Sequence, residues 1–180
     1  MKILSFAASN SRHSINRKLL NYAESLLADF DIEHLDLNDY EMPIYSIDRE
    51  HESGIPDLAK QFVHAIAQAD ALLISFAEHN GNYTVAYKNI QDWCSRLDRN
   101  IYQNKPMLLL STSPGQGGGG RVLSMAENAV PYFSGTVIGT LSVPSFNENF
   151  DVDHGMLVNE TLIHQLTTLT KRLRETIQTQ

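Results

Sequence analysis

Two stretches of this chain, ALLISFA at 71–77 and PMLLLST at 106–112, are unbroken apolar runs of strand length. Runs of that kind suit strands covered on both faces, as in a parallel sheet with helices above and below it. Three more runs join them: KILSFAA at 2–8, the alternating IEHLDL at 32–37, and the β-branched GTVIGTLSV at 135–143. In the second, Ile32, Leu35 and Leu37 are expected to point inward. Between the runs lie stretches with helical spacing, at 14–29, 56–68 (entered at Pro56), 84–97, 120–133 and 158–177.

Alternating strands and helices are repeated βαβ units, so the expected class is α/β. Five strands at this spacing fit a flavodoxin-like three-layer sandwich, a five-stranded parallel sheet of order 2-1-3-4-5 with helices on both faces. The 180 residues read as a single domain over 1–180, with no linker and no internal repeat. In such a sheet, ligands sit beyond the carboxyl ends of the strands, beside the first. That selects three loops: 9–14, 77–83 and 112–119.

Charge and composition narrow the partners. Fourteen Lys and Arg against 21 Asp and Glu leave a net charge of -7, which argues against nucleic acid as a main partner. The apolar start, MKILSFAAS, is too short to span a membrane. The polar SNSRHS also follows too soon for a secretory signal, so a buried first strand is the expected reading. The single cysteine, Cys94, cannot form an intrachain disulfide, which suits a reducing compartment and a cytoplasmic location.

The first loop, SNSRHSIN, leads from strand into helix. A helix start offers free N–H groups and partial positive charge, and Ser9, Ser11, Ser14, Asn16 and Arg12 add donors, which suits a phosphate. Ser14 is equally well read as an ordinary N-cap within a polar loop. In the second loop, AEHNGNYTVAYKN, Gly81 allows close backbone approach to a planar ring, and His79 and Tyr83 can stack or hydrogen-bond. The alternative there is an exposed Asn-Gly turn. Glu78 reads as a general base or as an ordinary loop carboxylate.

The third loop, STSPGQGGGGRVL, satisfies G-x-G-x-x-G through Gly115, Gly117 and Gly120. It follows the fourth strand rather than the first, and no acidic residue is placed to hold a ribose. Read as a P-loop, it has Arg121-Val122 where Lys-Ser/Thr is needed. A flexible glycine loop at the ligand edge remains. No G-x-S-x-G elbow and no metal-ligand spacing is present, and DVDHG at 151–155 reads as a solvated turn. Cys94 sits beside Trp93 in a helix and reads as a small packed hydrophobe, while Trp93 reads equally as core or as part of an interface. The loops form a cradle without a catalytic constellation, which favours chemistry carried by a cofactor.

Together the loops resemble the NAD(P)H-dependent FMN reductase family of flavodoxin-like quinone, chromate and azo reductases. The family's first loop, Gly-Ser-x-Arg-x-x-Ser-x-Asn, is similar to ASNSRHSIN, with Ser9, Ser14 and Asn16 in register and Arg12 one place late. Its second motif is similar to AEHNGNYTVAYKNIQDW, which supplies Glu78, Asn80, Lys88, Asn89, Asp92 and Trp93. Its third, a Ser-containing turn before Gly-Gly-x-Arg, is similar to STSPGQGGGGRVL. Ala77 and His79 depart from the family's proline and tyrosine.

The resemblance implies an oxidoreductase that passes hydride from NADPH or NADH through FMN to a small-molecule acceptor such as a quinone. Ser9, Asn10, Ser11, Arg12, Ser14, Ile15 and Asn16 would hold the phosphate and ribityl chain. Ala77, Glu78, His79, Asn80, Gly81, Ser113, Pro114 and Gly115 would border the ring. No catalytic side chain, no metal and no membrane or nucleic-acid partner is expected, and a homodimer or homotetramer is. In the family the helix around Lys88–Trp93 lies near the subunit contact. The alternatives are a flavodoxin-type FMN electron carrier without its own NAD(P)H turnover, and a flavin-independent binding protein.

Overall fold

A computed structural model describes residues 1–179. The five runs become β1 (Lys2–Ala8), β2 (Asp31–His34), β3 (Ala71–Phe76), β4 (Pro106–Thr112) and β5 (Thr136–Val143). They form one parallel sheet in the order β2-β1-β3-β4-β5, as expected. β3 and β4 lie in the middle and are buried along their whole length, the physical reason that their sequences do not alternate.

Helices α1 (Ile15–Ser25), α2 (Ile47–Ser53), α3 (Asp57–Ala67), α4 (Val85–Leu97), α5 (Gly120–Ala129), α6 (Phe146–Asn149) and α7 (Glu160–Gln178) complete the chain. The pleat sends alternate strand residues to opposite faces. Leu4, Phe6, Leu72 and Ile74 meet Phe62 and Ile66 of α3, Ile90 and Trp93 of α4, and Val122 of α5. Ile3, Ala7, Leu73 and Leu108 meet Leu19, Leu20 and Ala23 of α1, and Leu166 and Leu173 of α7. Two apolar layers thus clamp the sheet and fix which ends of the strands carry open loops.

Several boundaries differ from expectation. β2 ends at His34, because the chain then turns into a 3-10 helix at Leu37–Tyr40 capped by Asp36, although Leu35 and Leu37 stay buried. The first helix stops at Ser25, four residues early, in a series of tight turns. The stretch at 120–133 is an α-helix followed by a 3-10 turn at Val130–Phe133, where Pro131 lacks the N–H that continuation needs. DVDHG is the turn of a short antiparallel hairpin, β6 (Phe150–Asp151) with β7 (Met156–Leu157). Its Asp151 carboxylate accepts from the N–H groups of Asp153 and His154.

Candidate functional site

The three loops do converge at the carboxyl edge of the sheet, and hydrogen bonds join each to the others. Asn16, in the first turn of α1, reaches across to the end of β4. Its amide donates to the Thr112 carbonyl at 3.2 Å, and its oxygen accepts from the Thr112 N–H at 3.0 Å and the Ser75 hydroxyl at 2.8 Å. Thr84, the N-cap of α4, donates its hydroxyl to the carbonyl of Ala8 at 3.0 Å. Glu78 accepts from the N–H of Val122 at 3.0 Å, joining the second loop to the start of α5.

Loop one gathers hydrogen-bond donors at a helix start. Ser9 folds back so that its oxygen accepts from the N–H of Ser11. Ser14 caps α1 by accepting from the N–H of Arg17. Both residues are more than nine-tenths buried, yet neither hydroxyl donates to anything among the described residues. The helix they precede has no acidic residue in its first turn, so its partial positive charge is not offset from within. Arg12 and Ser11 are exposed beside it, and both line a cavity of about 250 Å³ with Ser9, Ser14 and Arg17. Buried O–H donors, free helix amides and arginine are the donor set that a phosphate monoester such as that of FMN requires. The residues present fit the group.

The Asn16 side chain also has a task within the protein. Buried, with its oxygen accepting two hydrogen bonds and its amide on the Thr112 carbonyl, it sets the distance between the first and third loops. The capping and phosphate readings of Ser14 are compatible, since the cap uses the oxygen and leaves the proton.

The second loop is an Asn-Gly hairpin turn. His79 and Asn82 exchange backbone hydrogen bonds, and Asn80 and Gly81 between them have φ of 54° and 76°, as a type I′ turn demands. His79 is exposed and lines a second cavity of about 270 Å³ with Asn10, Thr84 and the segment running from Leu37 to Ile44. Tyr83 turns away from this cleft, packing on Phe76 and Tyr87, and burial pushes its phenol well up from the ordinary value. Burial likewise pushes the Cys94 thiol up to about 12, so it is an inert packed side chain.

The glycine loop is anchored where a flexible one was expected. The Gly118 carbonyl accepts from the hydroxyls of Ser111 and Ser142, and Ser145 donates its N–H to the Gly115 carbonyl. Ser113 closes a local turn onto Gly115, while Pro114 and Gly115 are exposed at the rim. Ala77 and Glu78 are partly buried at the end of β3.

The segment 40–45 contributes to the cleft and carried no signal of its own. Its anchors lie elsewhere: Asn89 accepts from the Tyr45 N–H and donates to the Met42 carbonyl, and the Trp93 indole donates to the Pro43 carbonyl at 2.7 Å. The motif residues of α4 therefore shape the cleft by holding this segment, and Lys88 pairs with Asp92 one turn on.

A family model described as NADPH-dependent FMN reductase matches residues 1–148. A 2-hydroxy-1,4-benzoquinone reductase of Burkholderia sp is 34% identical over 117 residues, 64% of this chain and 62% of that protein. The match thus spans less than two thirds of that relative's length. A quinone reductase of Escherichia coli (strain K12) is 32% identical over 127 residues, 63% of this chain and 68% of its own. Among solved structures, FerB, a flavoenzyme NAD(P)H:(acceptor) oxidoreductase from Paracoccus denitrificans, superposes with a TM-score of 0.81 over 99% of this chain and 97% of that one. Its identity is 21%, so this likeness supports the fold alone.

Proposed function

Since the chain belongs to the NADPH-dependent FMN reductase family, we propose that it is an FMN-dependent NAD(P)H oxidoreductase acting on a small-molecule acceptor such as a quinone. The observation that carries the reading is the pair of buried hydroxyls, Ser9 and Ser14, with protons free at an unneutralised helix start. Bound there, FMN would supply two-electron exchange between a reduced nicotinamide and the acceptor.

The protein's part is binding and orientation. Ser9, Ser11, Ser14 and Arg12, with the N–H groups of Ile15 and Asn16, donate to the phosphate end. Asn16 and Thr84 keep the first loop in register with the other two. Asn10, Ala77, His79, Asn80 and Gly81 on one side, and Ser113, Pro114 and Gly115 on the other, border the space for a flat ring. Glu78 positions the start of α5. No side chain is required as acid or base, since orientation at short distance carries the rate of hydride transfer.

A homodimer or homotetramer belongs to the same reading. Ile44, Ile47 and Val85 are 66%, 48% and 68% exposed, and Ile44 and Val85 line the cleft beside His79. A second copy that covers them would also wall the ring site. Trp93, being buried, supports that surface from beneath. Light scattering on the purified protein reads the oligomeric state directly. A cytoplasmic location is likewise proposed, on the single buried cysteine. Among the described residues no helix is long and apolar enough to cross a membrane.

The decisive experiment is the visible spectrum of purified protein with added FMN, before and after NADPH without oxygen. A bound flavin spectrum that bleaches with NADPH and returns with quinone is expected. Bound flavin that neither NADPH nor NADH bleaches would leave an electron carrier. Protein that takes up no FMN would overturn both.

A further inference from the structure

Arg121 is a cation that the binding of FMN does not use. It stands in the first turn of α5, exposed, and its guanidinium forms no ion pair among the described residues. Its side chain lies along Gly81 of the second loop. A Cβ placed on Gly81 would meet the arginine Cδ at 3.6 Å and its Nη1 at 3.8 Å. The absence of a side chain at Gly81 therefore lets the arginine run beside the turn that borders the ring site.

The backbone on either side of Arg121 is held. Val122, the next residue, donates its N–H to the Glu78 carboxylate at 3.0 Å, and Gly120, the one before, donates its N–H to the Gly117 carbonyl at 2.8 Å. The root of the side chain is thus fixed while its charged head is unpaired. The nearby charges do not cancel it. Glu78 is turned to the Val122 N–H and makes no ion pair with Arg121, and Lys88 of α4 is paired with Asp92. Glu41 is exposed on the segment that walls the cleft beside His79, so an anion entering there is drawn away from that wall and toward the arginine.

The whole chain carries a net charge of -7, and its field repels small anions. A local cation at the edge of the ring site offsets that repulsion for a substrate whose charge sits close to its reacting ring. An acidic substituent on a quinone meets this condition, because it is bonded to the ring system that accepts the hydride. The pyrophosphate of a nicotinamide cofactor does not, because a ribose separates it from the nicotinamide. Resting on the flavin reading above, we propose that Arg121 is a specificity-determining residue for the acceptor. It favours quinones that carry an ionised sulfonate or carboxylate over neutral ones, by pairing with that group while the quinone ring occupies the ring site.

The test uses FMN-loaded protein with saturating NADH and one of two acceptors, 1,4-naphthoquinone-2-sulfonate or the neutral 2-methyl-1,4-naphthoquinone. Arg121→Gln should lower the ratio of kcat/KM for the sulfonate to that for the neutral quinone about tenfold, through KM for the sulfonate. Arg121→Lys should restore part of the ratio. Raising salt from about 0.01 M to about 1 M shortens the Debye length from roughly 30 Å to roughly 3 Å. The ratio should fall with salt in the wild type and not in Arg121→Gln, where only the repulsive net charge is left to screen. Equal losses for both quinones mark a structural role for the side chain on the turn and overturn the proposal, as does an unchanged ratio. Slower bleaching of the flavin by NADH without quinone, at an unchanged ratio, assigns the cation to the donor and overturns it as well. Wild-type protein that takes up no FMN, or that reduces neither quinone, overturns the flavin reading and the proposal with it, whereas every outcome for the ratio leaves that reading standing.

Discussion

Asn16 illustrates how a polar side chain at a helix start can be engaged within the protein itself. A polar residue at a helix start reads as a donor to whatever the helix binds, yet here it bonds to the peptide of Thr112 on both sides and to Ser75. Asn16→Ala should lower stability by about 2–4 kcal/mol in urea titration, since it strands a buried N–H, carbonyl and hydroxyl. It should weaken FMN and riboflavin alike, because it acts by displacing a loop. Ser9→Ala should weaken FMN but not riboflavin, because the hydroxyl it removes is one of the free donors. The serines were legible in the sequence because their backbone context, strand into helix, is local. The inward turn of Asn16 was not, because its partner lies 96 positions away.

At the scale of elements, helices and central strands follow from hydrophobic spacing, and loops do not. The glycine run at 117–120 looked like freedom, whereas the fold uses two of its glycines for close approach. A Cβ on Gly118, whose φ is 57°, would lie 2.4 Å from the Ser142 hydroxyl oxygen and 2.9 Å from the Pro144 nitrogen. Gly118→Ala should therefore destabilise the protein by about 1–3 kcal/mol, measured by urea unfolding, and loosen the start of α5. The Asn-Gly turn at 80–81 is the opposite case, since positive φ at both positions is a local demand that the dipeptide itself meets. The segment 40–45 was silent because its position is dictated by Asn89 and Trp93, two helical turns of a distant element.

For the whole molecule, two apolar layers share one sheet, so neither can melt without exposing the other's strands. Urea unfolding followed by tryptophan fluorescence and by far-ultraviolet circular dichroism should give coincident curves, as one cooperative unit requires. Separate transitions would split the chain into independent parts. The pH dependence follows from the same burial. Cys94, and Tyr102 beneath α4, keep their protons up to about 12 in the folded state through desolvation. The unfolded chain loses the Cys94 proton near 9, so stability is full below about 9 and falls as pH rises from there toward 12. The melting temperature of Cys94→Ala should decline less steeply over that range. At the acid end, Glu50 beside Arg96 and Asp29 beside Arg174 hold their carboxyls below the usual range. Their contribution is present above about pH 4–5 and is lost as pH falls below it.

The sequence alone determined the periodicities, and with them the alternation of strands and helices on which the expected sheet rests, because burial of apolar residues is a local pattern repeated along the chain. It also determined the type I′ turn and the serine-lined helix start, whose geometry depends on near neighbours. Only the tertiary structure decided what each polar group does once it is there. That the Asn16 side chain bonds to Thr112, and that Glu78 bonds to Val122, depend on contacts between residues far apart in sequence. Hydrogen bonds are directional and short in range, so their partners are chosen by packing, and packing is a property of the folded whole.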